Sequence, residues 1–112
     1  MRTEQDFSTT IVGLAGEFDL TCEEPFQDEF GRVLGGHPDA LVLDLRGLDF
    51  IDSTGLRMLV QISNRSARDG FGFTVLCRNG RVRDVLRLTG LDGVLPLIAP
   101  RGGMVPASDS PV

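Results

Sequence analysis

Apolar and polar positions alternate along the chain in a way that separates short extended segments from longer ones of helical period. Between Phe7 and Phe18, β-branched and apolar residues (Thr9, Thr10, Ile11, Val12, Leu14) are interrupted by Gly13 and Gly16. This pattern predicts two short strands joined by a turn near Gly13. Phe26, Phe30, Val33 and Leu34 then fall at i, i+4, i+7 and i+8, one face of a helix. Thr21 with Glu24 makes a capping-box pattern, whereas Pro25 as the first helical residue puts the cap at Glu24. Both starts fit the sequence. Gly35-Gly36 ends the helix.

Ala40 to Leu45 is apolar apart from Asp44, as expected of a strand covered on both faces. A short loop and a second helix over residues 54–68 follow. On a helical wheel, Leu56, Leu59, Val60, Ile62, Ser63 and Ala67 share one arc. Arg57, Gln61, Asn64, Arg65 and Arg68 share the other, with Met58 at the boundary. Phe73–Cys77 reads as a strand. Asn79 is the expected N-cap of a third helix carrying Val82, Val85, Leu86 and Thr89, which Gly90 terminates. Val94–Ile98 predicts a last short strand, confined to an edge by Pro96. Residues 100–112 are poor in apolar side chains and are expected to form a disordered tail.

The order is thus β-β-α-β-α-β-α-(β). It predicts a single α/β domain over residues 1–99, with helices packed on a four- to five-stranded mixed sheet. In such sheets, sites gather where strands end and helices begin. The segment Asp52-Ser53-Thr54 lies at such a junction.

Composition narrows the chemistry. The 112 residues carry 16 acids against 11 bases, a net charge of −5, and every base is arginine. An acidic surface argues against a nucleic-acid partner and favours a protein partner with a basic face. No apolar run approaches the roughly 20 residues of a membrane span, and the first residues lack the order of a signal peptide. A cytoplasmic protein with no membrane association is expected. Cys22 and Cys77 lack C-x-x-C spacing and read as small buried hydrophobes. His37, the single histidine, lies in a Gly-Gly-His-Pro loop, so neither a zinc site nor a serine-nucleophile triad is expected. No metal, cofactor or catalytic residue is assigned.

The remaining chemistry belongs to Ser53. A helix start presents unpaired N–H groups and the positive end of the helix dipole. In the plain reading, Ser53 or Asp52 caps the helix and Gly55 eases a tight turn into it. In the regulatory reading, Ser53 accepts a phosphate. That group would add about two negative charges and three acceptor oxygens. It would spare the fold and remove an interaction made by the same surface.

Gly16-Glu17-Phe18-Asp19, the strand 41–45, Phe50-Ile51-Asp52-Ser53-Thr54-Gly55-Leu56 and the later Leu88-Thr89-Gly90-Leu91 occur in that order. Together they resemble the STAS domain, and within it the bacterial anti-sigma factor antagonists, over roughly residues 5–99. The resemblance implies a non-enzymatic partner switch. Unphosphorylated, such an antagonist binds an anti-sigma factor that is also a serine kinase and so frees a sigma factor. Phosphorylation at the motif serine, here Ser53, releases it, and a metal-dependent serine phosphatase restores it. Asp19 matches an acid near the kinase contact, Asp52 precedes the modified serine, and Thr54 stands where members often have a second serine. The partner-binding residues expected from this reading are Asp19, Asp52, Ser53, Thr54 and Gly55. Met58 joins them because a flexible side chain at the edge of the apolar arc suits a surface that re-packs. The alternative is a STAS-type scaffold or sensor subunit of a larger signalling assembly.

Overall fold

A computed structural model describes residues 1–98. The order is β1 (Arg2–Asp6), β2 (Thr9–Phe18), a 3-10 turn (Leu20–Cys22), α1 (Glu23–Gly35), β3 (Ala40–Ile51), α2 (Ser53–Asp69), β4 (Gly72–Leu76), α3 (Arg81–Leu88), a second 3-10 turn (Leu91–Gly93) and β5 (Leu97–Ile98). The strands form one five-stranded sheet in sequence order. β1 and β2 are antiparallel; the other pairings are parallel. The expected α/β class and mixed sheet are therefore present. The expected tail, residues 100–112, lies outside the described residues.

The hairpin turns at Phe7-Ser8, not near Gly13. Gly13 lies inside β2, opposite Arg2, and its missing side chain makes room for that arginine: a Cβ there would come within 2.8 Å of the Arg2 guanidinium. Arg2 thereby reaches Asp44, at 3.5 Å. Asp44 is the one buried carboxylate in the centre of the sheet, 5% exposed, and takes two hydrogen bonds from the Arg46 guanidinium at 2.9 and 2.8 Å. Burial acts to raise its pKa, but Arg46, with help from Arg2, outweighs burial and holds the carboxyl below its ordinary value.

Val12, Leu14, Leu41, Leu43, Leu45 and Val75 join the buried residues of all three helices in the main core. Ile11, Val42 and Leu76, on the alternate positions of the same strands, form a separate small cluster. Strand β3 is thus buried on both faces, as its sequence predicts. The buried residues of the helices join only the main cluster.

Three further boundaries differ from expectation. β3 continues past Leu45 to Ile51, with Leu45, Leu48 and Ile51 buried, so no loop separates it from α2. α1 starts at Glu23 behind Cys22 without a side-chain cap. The preceding 3-10 turn leads straight into it, so neither the Thr21 capping box nor a Glu24 cap is needed, and Pro25 sits in the first turn, where its missing N–H costs nothing. The expected strand over 94–98 shrinks to Leu97–Ile98, after Pro96, at the edge of the sheet beside β4.

Candidate functional site

The site is assembled where β2 and β3 end side by side. Phe18 and Ile51 are partners in the parallel ladder, and each is followed by an aspartate that starts a helical turn. Asp19 caps the turn Leu20–Cys22, accepting from the Thr21 amide at 3.0 Å and the Thr21 hydroxyl at 2.6 Å. The Thr21 hydroxyl is the main reason that its pKa lies below the ordinary carboxylate value. Asp52 caps α2, its Oδ1 accepting from the amides of Thr54 at 2.9 Å and Gly55 at 3.1 Å. The Asp52 amide in turn donates to the Phe18 carbonyl at 3.3 Å, tying the two junctions together.

Of the two possible caps at this helix start, the structure uses Asp52. Ser53 is the first residue of α2 and is exposed. Its hydroxyl is not the cap and is open to solvent at the positive end of the helix. Thr54 is half-buried behind it.

Gly55 is buried rather than presented to a partner. A Cβ at this position would lie 2.7 Å from both the Phe18 carbonyl oxygen and Ile51 Cγ1. Its role is close packing: it lets the first turn of α2 press against the ends of β2 and β3. Met58 corrects the sequence-based expectation more fully. It is 1% exposed and belongs to the main core. The buried arc of α2 runs through Gly55, Met58, Leu59 and Ile62, while Ala67, counted on the apolar arc, is exposed. Counting Ser63 and Ala67 as apolar displaced the expected arc and put Met58 on its border. In this conformation Met58 is a core residue and makes no surface for a partner.

Sequence reasoning missed three neighbours. Leu20 is 65% exposed and Phe50 44%, two large apolar side chains flanking the paired strand ends. Arg57, one turn after Ser53, donates to Glu23 Oε2 at the start of α1 at 2.9 Å. The first two stand out once the strand ends are located. The third depends on a contact 34 residues distant in sequence. Asp19 and Asp52 cap the turns at the same paired strand ends as Ser53, and Glu23 bonds Arg57 one turn along α2. No group of three or more metal-ligating side chains occurs among the described residues, and none of their helices is long and apolar enough to cross a membrane.

The STAS domain model matches residues 1–101. The anti-sigma-F factor antagonist RsfB of Mycobacterium tuberculosis is 30% identical over 89 residues, covering 80% of this chain and 72% of the relative. The crystal structure of an anti-sigma factor antagonist from Mycobacterium paratuberculosis superimposes with a TM-score of 0.79 at 31% identity, over 89% of this chain and 84% of that one. At 17% identity, the phosphorylated form of the Bacillus cell fate determinant SpoIIAA shares the fold, with a TM-score of 0.70 over 89% of this chain and 90% of that one. A mixed five-stranded sheet, an aspartate-capped α2 beginning at Ser53 and these matches lead to one conclusion: the chain belongs to the STAS domain family.

Proposed function

We propose that this protein is an anti-sigma factor antagonist, a non-enzymatic cytoplasmic switch operated at Ser53. With a bare hydroxyl it binds an anti-sigma factor that is also a serine kinase, through the surface formed by Asp19, Ser53, Thr54, Leu20 and Phe50. Transfer of the ATP γ-phosphoryl group to Ser53 Oγ releases it, and a metal-dependent serine phosphatase hydrolyses the ester to reset it. The observation that carries this reading is the division of labour at the start of α2: Asp52 takes the capping role, so the exposed Ser53 hydroxyl has no structural bond to lose. The names of the two mycobacterial relatives, both antagonists of anti-sigma factors, support the same role. Exposed Leu20 and Phe50 supply apolar area, which in docking surfaces provides most of the affinity when it is desolvated. A phosphate placed on Ser53 would put about two more charges into a surface that must be dehydrated on binding.

The test is the intact mass of the protein after incubation with ATP and each anti-sigma kinase candidate of its own genome. One added phosphate that maps to Ser53, and is absent from Ser53→Ala, is expected with the cognate kinase. Phosphate on another residue, or on none with any candidate, would contradict the reading.

A further inference from the structure

The capping geometry leaves a question for any phosphate on Ser53. A helix start normally offers its free N–H groups to such an anion. Here the amides of Thr54 and Gly55 are already taken by the Asp52 carboxylate, so of the first three amides of α2 only that of Ser53 is not held by the Asp52 side chain. A phosphate at Ser53 therefore finds fewer free amides than at an uncapped helix start and gains from a donor elsewhere.

Arg57 is the only base in the first two turns of α2. It lies four residues after Ser53, which places the two side chains on the same helix face with Cβ atoms about 5–6 Å apart. Side chains on a helix lean towards its N-terminus, so Arg57 lies over the turn that Ser53 opens. At present its guanidinium bonds Glu23 Oε2, the first residue of α1, at 2.9 Å. The arginine and glutamate side chains are 53% and 33% exposed, and pairs of such exposure are weak and exchangeable. A phosphate dianion is the stronger acceptor and binds the guanidinium fork in a bidentate manner.

We propose that phospho-Ser53 has a binding site within the chain: the Arg57 guanidinium, which transfers from Glu23 to the phosphate. The exchange removes one of two polar links between α1 and α2, the other being Gln27 Nε2 to Gln61 Oε1 at 3.1 Å. It also frees the Glu23 carboxylate at the start of α1. Phosphorylation then alters the partner surface in two places, at Ser53 itself and at the start of α1. Arg57 is a positioning residue for the phosphate.

This site rests on Ser53 being the modified residue, and its test does not depend on the kinase. Phosphoserine is installed at position 53 during translation, and the second phosphate pKa is read by phosphorus NMR at low salt. Arg57→Ala is expected to raise that pKa by about half a unit or more relative to wild type, since a nearby cation favours the dianion. Arg57→Lys should recover part of the shift, and Glu23→Gln, which removes the competing carboxylate, should lower the pKa below that of wild type. Equal values in wild type and Arg57→Ala, or a rise in Glu23→Gln, would overturn the site. Failure of the switch itself gives a different signal: the same phosphoserine protein would still bind its anti-sigma partner.

Discussion

Helices α2 and α3 both follow parallel strands of the same sheet, yet they begin differently. At α2 the chain leaves β3 in an extended conformation, with Asp52 at φ −107° and ψ −173°, and its carboxylate holds two helical amides. Gly55 then fits against Phe18 and Ile51 with no space for a methyl group. At α3 the N-cap is Gly80 at φ 150°, with no side-chain cap. That helix is held by burial of Val82 and Leu86 and by its backbone bonds. The comparison teaches that α2 is fixed at its start by a bond and a close contact that both bypass Ser53. A hydroxyl free of structural duty, on a rigid helix end, can carry a modification without changing the fold.

The contrast can be broken most severely at Gly55. Gly55→Ala would force a Cβ to within 2.7 Å of a backbone carbonyl, and overpacking of this kind costs about 1–3 kcal/mol. Urea unfolding should show a clear fall in midpoint with an unchanged slope. Asp52→Ala should have the next largest effect, about 1 kcal/mol, through loss of the cap, and Asp52→Asn should retain most of the stability. Asn79→Ala marks the other end of the scale: the side chain caps nothing in α3, so a change within about 0.5 kcal/mol is expected. A loss at Asn79 equal to that at Asp52 would erase the difference between the two helix starts.

Much of the fold was legible because apolar spacing and element order are local signals. Phe26, Phe30 and Val33 are buried as their spacing predicts, and the mixed sheet follows from the order of elements. The hairpin was misplaced because Gly13 resembles a turn residue, whereas Phe7-Ser8, where the chain does turn, carries no such signal; Phe7 adopts φ 56° there. Asn79 was misread as a cap because sequence alone does not distinguish it from Gly80 as the residue that meets the helix. At the site, the Asp-Ser-Thr-Gly segment identified the position but not the division of roles. Either Asp52 or Ser53 could cap, and only the backbone path out of β3 selects Asp52. Gly55 reads in the sequence as easing a tight turn into the helix, and the structure shows it as a packing contact. Arg57 lay on the polar arc as expected, but its link to Glu23 depends on how α1 and α2 meet in space.

In the proposed switch, one exposed hydroxyl changes partnership and not fold. This is tested most directly by titrating the cognate anti-sigma kinase, by calorimetry, with wild type and with the protein carrying phosphate on Ser53, beside urea unfolding of both. Binding of the phosphorylated form should be at least a hundredfold weaker, about 2.7 kcal/mol, and the unfolding free energies of the two forms should agree within about 0.5 kcal/mol. Equal affinity of the two forms, or loss of binding accompanied by loss of the fold, would contradict it.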